Sequence, residues 1–276
     1  MKKIYIILIF IFLISCQQQS ILPSFVANAL NLNSIQTSGQ KHTTVIAHRG
    51  GARLSPENTL PAIKKSIDIK ADMVEIDVRF TKDKQVVVIH DSTVDRTTNG
   101  HGSVSNMTLA QIKSLDAGSW FGNEYKNIRI PTLEEVLVLC KNKIKVNIEI
   151  KDDSAIAPTI ELVKKYNMIE NIYILSFDPT DLKKVKKLEP KILTAMLFNI
   201  LSPLTFPVIK KLYEVDRVIF LSKVIFPSLI ENAHKAGLGI MTFTVNDAVE
   251  AKKLISWNID GIITDKPDML INLING

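Results

Sequence analysis

From Thr43 onward, short runs of β-branched and aliphatic residues alternate with longer runs whose apolar positions recur with helical spacing. The β-rich runs cover residues 44–47, 73–80, 86–89, 145–150, 171–176, 193–198, 217–221, 239–245 and 261–264. Helical periodicity fills most of the gaps, over 60–69, 132–141, 155–166, 180–188, 227–236 and 247–257. Strand and helix in alternation predict a parallel sheet with helices packed outside it. Nine strands are one too many for an eight-stranded barrel, and the spacing resolves this. Only Thr81-Lys82-Asp83-Lys84-Gln85 separates the second run from the third, whereas a parallel crossover needs about a dozen residues or more. Those two runs must form an antiparallel hairpin, which leaves eight parallel strands. The fold expected is therefore α/β, a TIM-type (β/α)8 barrel with a β-hairpin and a small insertion after the second barrel strand. The insertion spans about 92–131, holds the turn-rich Thr97-Thr98-Asn99-Gly100-His101-Gly102 and a helical piece near 109–115, and is expected to cover one mouth of the barrel. No internal repeat and no second core is visible.

The start of the chain does not share this pattern. Lys2 and Lys3 precede an unbroken apolar run over 4–14, shorter than the about 20 residues a bilayer span needs. It reads as the hydrophobic region of a secretory signal. Leu13-Ile14-Ser15-Cys16 resembles a bacterial lipobox, so 1–15 is expected to be a lipoprotein signal peptide and Cys16 the lipidated residue. Each acyl methylene buried in a membrane adds about 0.8 kcal/mol. The Gln-, Asn- and Ser-rich stretch up to residue 42 reads as a flexible tether, and 43–276 as the barrel. These features predict a membrane-anchored lipoprotein of the cell envelope, facing periplasm or exterior.

Composition narrows the function classes. Of two cysteines, Cys16 is assigned to the anchor, and Cys140 sits in the apolar run Val136-Leu137-Val138-Leu139-Cys140 as a core thiol. The formal net charge of +6 is scattered over helical faces such as Lys183-Lys184-Val185-Lys186-Lys187, which reads as solvated surface and predicts no nucleic-acid partner. No obligate protein partner is expected.

The chemistry is expected where the barrel strands end. The first strand runs into His48-Arg49-Gly50. Glu75 and Asp77, two apart, share one face of the second strand, and Glu149 and Lys151 do so at the end of the fourth run. Two hairpin registers are compatible with the spacing. A four-residue turn at Thr81–Lys84 sets Val78 opposite Val87 and Glu75 opposite His90; a two-residue turn at Asp83-Lys84 sets Asp77 opposite His90. Both place His90 on the face of the acids. Glu75, Asp77 and Glu149 form an all-oxygen set suited to one hard divalent ion, Mg²⁺ or Ca²⁺. Arg49 suits bidentate phosphate binding, Lys151 adds a point charge, and His48 and His90 suit general acid–base work. Glu57 and Asn58 are candidates either for the site or for a turn or helix cap, and Asp91 for fixing the loop after the hairpin. Trp120, Phe177 and Phe243 are candidate pocket walls or core.

Taken in order, Ala47-His48-Arg49-Gly50, Pro56-Glu57-Asn58-Thr59, Val74-Glu75-Ile76-Asp77-Val78, Ile89-His90-Asp91, Ala117-Gly118-Ser119-Trp120-Phe121, Ile130-Pro131-Thr132-Leu133-Glu134-Glu135, Asn147-Ile148-Glu149-Ile150-Lys151, Ser176-Phe177-Asp178-Pro179, Thr244-Val245-Asn246 and the stretch Asp260-Gly261-Ile262-Ile263-Thr264-Asp265-Lys266-Pro267 resemble the glycerophosphodiester phosphodiesterase family. The resemblance implies that His48 and His90 are the catalytic pair, with Arg49 beside them. It implies that Glu75, Asp77 and Glu149 bind a metal, and that glycerophosphodiesters are hydrolysed to sn-glycerol 3-phosphate and an alcohol. Phe243 stands where the family often has Trp, beside the active-site mouth, and is a candidate to bind substrate. The rival readings are a phospholipase of the C or D type on a related barrel and a non-catalytic surface lipoprotein. The three-acid set argues against metal-independent lipases, and a binding module needs no pair of histidines.

Overall fold

The computed structural model describes residues 42–200 and 204–276, all within one compact unit, Lys41–Gly276. The expected signal peptide, Cys16 and all of the tether but its last residue lie outside the described residues.

Eight strands run parallel: β1 (Thr44–Ala47), β2 (Met73–Phe80), β4 (Lys145–Ile150), β5 (Ile172–Ser176), β6 (Leu193–Phe198), β7 (Arg217–Leu221), β8 (Gly239–Phe243) and β9 (Gly261–Thr264). β1 pairs with both β9 and β2, so the sheet closes on itself as a TIM-type barrel. The period-two alternation of each strand sorts its side chains. Ile46, Met73, Tyr173, Leu175, Ala195, Leu197, Ile219, Met241 and Ile263 fill the interior. The alternate positions, such as Val74, Ile76, Val146, Ile148, Ile174 and Val218, form the larger core under the helices.

The helices are α1 (Leu60–Asp68), α2 (Leu109–Ser114), α3 (Leu133–Cys140), α4 (Ile156–Lys165), α5 (Pro179–Leu188), α6 (Phe206–Tyr213), α7 (Pro227–Lys235), α8 (Ala248–Ser256) and α9 (Pro267–Asn275). Several start on side-chain caps. Thr108 and Thr132 form capping boxes with Gln111 and Glu135, and Thr59, Asp178 and Asp247 accept from the first turns of α1, α5 and α8. Each such cap is worth about 1 kcal/mol. Helices α6 and α9 were not expected from the periodicity. Each carries proline in its first turn, where its missing N–H costs nothing, as do α1, α5 and α7, which the periodicity did show.

Strand β3 (Val86–Val88) pairs antiparallel with the end of β2, as the short gap requires, but in neither of the two registers considered above. Val78 faces Val88 and Phe80 faces Val86. The loop has three residues. Thr81 N–H donates to Gln85 O at 3.0 Å, Lys84 N–H donates to Thr81 O at 3.0 Å, and Lys84 is left-handed at φ 63°. This is a type I turn closed by a left-handed residue, the usual three-residue hairpin connection. Lys84 fills a position that glycine or asparagine would have advertised.

The insertion after β3 carries its own apolar cluster, in which Val94, Val104, Ile112, Ala117 and Ile130 pack on Val87 and Ile89. Asp116 organises its far end, accepting the backbone N–H groups of Gly118, Ser119 and Asn127 at 2.9, 2.8 and 2.6 Å. Gly118 is required there by close approach, since a Cβ would lie 1.9 Å from the Tyr125 carbonyl oxygen.

Candidate active site

The inward-facing positions of β2 change from apolar to acidic as the strand reaches the C-terminal mouth, and on β4 the acid Glu149 follows the inward Asn147. Met73 is followed by Glu75 and Asp77, and Glu149 pairs in register with Asp77. One carboxylate oxygen from each of Glu75, Asp77 and Glu149 lies within 4.8 Å of the others. All three residues are buried, with 2, 1 and 9% exposure. The first strand delivers its residues through a tight turn. Arg49 adopts φ 50°, ψ 37°, a left-handed geometry that costs a non-glycine residue about 1 kcal/mol or more. That turn points the Arg49 N–H onto Glu75 Oε2 at 2.8 Å. Asn58 is also left-handed, at φ 57°, which asparagine tolerates. Its amide grips Asp77 twice: Nδ2 donates to Asp77 Oδ2 at 2.8 Å, and Oδ1 accepts the Asp77 N–H at 3.2 Å. Asn58 is thus turn residue and site residue together.

Two cations compensate part of this charge. Lys151 Nζ lies 2.5 Å from Glu149 Oε1 and 3.3 Å from Asp77 Oδ1, and Arg49 Nε lies 3.7 Å from Asp77 Oδ2. The compensation is incomplete. Burial first, and then the charges of Asp77 and Glu149, push the Glu75 carboxyl up. Burial and Asp77 likewise raise Glu149. For Asp77 burial also works upward, but Lys151, His90, Arg49 and the Asn58 hydrogen bond overcome it and hold the carboxyl below its usual range. Glu75 Oε1 is buried without a hydrogen-bond partner. Oxygen-only donors, mutual repulsion and an unserved carboxylate oxygen fit a hard divalent cation, which would let all three acids ionise together.

Both histidines are held through Nδ1 by a carboxylate. His48 Nδ1 lies 2.6 Å from Asp265 Oδ1, and Asp265 is itself fixed by Asn246, whose Nδ2 donates to Oδ2 at 2.6 Å. His48 Nε2 lies 4.0 Å from Glu75 Oε2. His90 Nδ1 lies 2.6 Å from Asp91 Oδ1. The observed hairpin register would turn position 90 away from the acids had β3 continued. Instead β3 ends at Val88. Ile89 N–H donates to Asp77 O at 2.9 Å, and Arg79 Nε donates to the His90 carbonyl at 2.8 Å as the chain leaves the sheet. Arg96 then ties the two halves of the mouth together. It donates to Asp91 through Nε at 2.7 Å and to both Glu57 oxygens at 2.8 and 2.9 Å, while Glu57 also receives Arg49 at 2.8 Å.

The imidazoles are tuned in opposite directions. For His48, burial disfavours the charged ring, but the Asp265 hydrogen bond and the Glu75 charge outweigh it, and the pKa is raised above 6.5. For His90, burial wins over Asp77 and Asp91, and the pKa is lowered.

A cleft of about 470 Å³ opens beside His48 and Arg49, walled by Ala52, Arg53, Trp120 and Phe121, with Glu57 and Asp265 at its edge. Phe243 ends β8 on the inward face, packs on the interior cluster, and makes an edge contact with Phe177 at 6.2 Å. The structure thus gathers His48, Arg49, Glu75, Asp77, Glu149 and Lys151 at one mouth, with His90 coupled to Asp77. Sequence reasoning did not single out Asp265, Asn246 or Arg96. Asp265 continues the inward positions 261 and 263 past the tip of β9, a signal open to the same parity argument; for Arg96 no local signal exists.

The sequence profile described as the glycerophosphoryl diester phosphodiesterase family matches residues 48–269. A glycerophosphodiester phosphodiesterase of Caldanaerobacter subterraneus is 42% identical over 240 residues, covering 84% of this chain and 98% of that protein. Among solved structures, an Oleispira antarctica phosphodiesterase in complex with the product sn-glycerol-3-phosphate superposes with a TM-score of 0.81 at 29% identity, covering 84% of this chain and 97% of that one. Glycerophosphodiester phosphodiesterase from Agrobacterium tumefaciens gives a TM-score of 0.77 at 30% identity over 84% of this chain and all of that one. With these matches spanning the barrel from end to end, the chain belongs to the glycerophosphoryl diester phosphodiesterase family.

Proposed function

We propose that this protein hydrolyses glycerophosphodiesters to sn-glycerol 3-phosphate and an alcohol, with His48 as general acid and His90 as general base. The observation that carries the reading is the pair of carboxylate-held histidines, tuned in opposite directions, beside a buried cluster of three acids. Two titratable groups whose environments push them apart are the usual mark of an acid and a base. His90, kept neutral, accepts the proton of the attacking hydroxyl, whether of water or of the neighbouring glycerol carbon. His48, kept protonated, gives its proton to the departing alkoxide as the phosphorus–oxygen bond to the alcohol breaks. Asp265 and Asp91 fix both rings with Nε2 free for this exchange. Arg49 and Lys151 supply the positive groups that hold the phosphate, and Phe243, Trp120 and Phe121 offer apolar wall to the substrate.

Glu75, Asp77 and Glu149 would hold one divalent ion, for which Mg²⁺ and Ca²⁺ suit the donor set. When bound, such an ion neutralises phosphodiester charge and stabilises the charge that builds up in the transition state.

The decisive experiment is turnover on a panel of glycerophosphodiesters, including glycerophosphocholine, with EDTA and with each metal added back. Release of glycerol 3-phosphate that EDTA abolishes and one of these ions restores supports the reading. Hydrolysis of none of the diesters in any metal would end it. The basic-apolar start of the chain and the Cys16 lipobox support the further proposal that the mature protein is tethered by lipid to a cell-envelope membrane. Metabolic labelling with a fatty-acid analogue should mark the wild type and spare Cys16→Ser; equal labelling of both would refute the anchor.

A further inference from the structure

Asn147 is an inward position of β4, two residues before Glu149 and outside the acidic cluster. It is fully buried, and both its Oδ1 and its Nδ2 lack a hydrogen-bond partner. Its parity is that of Glu149, and its register partners are Glu75 on β2 and Tyr173 on β5. The Tyr173 hydroxyl already accepts from Arg217 at 3.2 Å. Around it the barrel interior is apolar, from Ile46 and Met73 to Leu175 and Ile263. A buried amide with no partner in such a layer destabilises the fold, and a hydrophobic side chain of the same shape would be neutral or better. Its register neighbour has the complementary need. Glu75 Oε2 takes the Arg49 N–H, while Oε1 is buried with no donor.

We infer that Asn147 is a positioning residue for the cation-loaded site, donating from Nδ2 to the Oε1 side of Glu75, directly or through one bound water. The inference rests on the divalent-cation reading above. Once all three acids are ionised, Glu75 Oε1 keeps lone-pair capacity for a donor beside the cation, and the side chain next to it in register carries two unused N–H groups. Polar partners that orient metal-binding carboxylates typically contribute about 10- to 100-fold in metal affinity. Asn147 then costs stability in the metal-free protein and repays it on loading.

The test compares the whole chain with Asn147→Leu, a near-isosteric apolar change, using Mg²⁺ and Ca²⁺ titration calorimetry and thermal unfolding in EDTA. The expected result is a cation Kd weakened by about tenfold or more with a Tm in EDTA equal to or above that of wild type. A Kd unchanged from wild type, or a Tm in EDTA that drops while the Kd is kept, would overturn the inference and mark Asn147 as structural. If the leucine variant does not fold, Asn147→Val decides by the same readouts. It should weaken the cation Kd without a fall in Tm in EDTA, and a Kd equal to that of wild type overturns the inference. Wild type without any cation-dependent shift in Tm would remove the metal reading along with it; a shift shared equally by wild type and the leucine variant removes only the role of Asn147.

Discussion

His48 Nδ1 lies 2.6 Å from Asp265 Oδ1, a contact that joins the first strand of the barrel to the last across 217 residues of chain. It sets the ring with Nε2 turned toward the mouth and contributes to the raised pKa of His48. Asp265→Asn keeps the shape and removes the charge. We predict a fall in kcat of about 10²-fold or more with KM little changed. Because the missing charge lets the His48 pKa fall, the alkaline limb of the pH–rate profile should move to lower pH. A profile superimposable on wild type would show that Asp265 does not tune the acid.

Arg96 reaches Asp91 and Glu57 at once, so it links the loop that carries His90 to the residue that holds Arg49. Its side chain is partly exposed, and an exposed ion pair stabilises a fold by about 0–1 kcal/mol. Arg96→Ala should therefore leave the unfolding midpoint nearly unchanged while lowering kcat by about tenfold through loss of His90 and Arg49 alignment. Steady-state kinetics beside a urea melt checks both halves. A large stability loss with normal kcat would reverse the assignment.

Asp116 anchors the loop that presents Trp120 and Phe121. Burial alone would raise its carboxyl, but the N–H groups of Ser119, Asn127 and Gly118 hold it well below the usual carboxylate range. A depressed folded-state pKa means stability that is present above the ordinary unfolded value, about 3.9, and lost as pH falls through the lower folded value. Asp116→Asn turns an N–H toward the Asn127 N–H and should cost about 1–3 kcal/mol at neutral pH. The gap to wild type should close progressively below about pH 4, as followed by urea unfolding at several pH values. A gap independent of pH would contradict the charge-based account.

Cys140, the last residue of α3, is fully buried, and burial pushes its thiol up to about 12. In a Cys16→Ser chain, Cys140 should resist a thiol reagent such as DTNB at pH 8 until denaturant is added. Rapid labelling of the folded protein would show that the helix opens readily.

The alternation of strand and helix, the hairpin and the acids at strand ends were legible because each follows from a local period or a gap length. Glu75, Asp77 and Glu149 could be grouped from parity alone, since a barrel turns all inward positions to one axis. The hairpin register was not legible, because it depended on Lys84 adopting a left-handed conformation that lysine seldom takes. His90 reached the mouth by leaving the sheet at Val88, an event that strand parity does not describe. Asp265 acts on His48 across 217 residues and Arg96 reaches Glu57 across 39, beyond any local window, while the Arg96–Asp91 contact, five residues apart, follows no helix or strand period.

Every step proposed for this site depends on proton exchange by His48 and His90 during diester hydrolysis. Its most direct test is the rate at which His48→Ala and His90→Ala release glycerol 3-phosphate from glycerophosphocholine in saturating metal, with thermal unfolding measured alongside. We predict that each variant loses about 10²- to 10⁴-fold in kcat while its Tm stays near that of wild type. A folded variant of either kind that turns over at the wild-type rate would contradict the account.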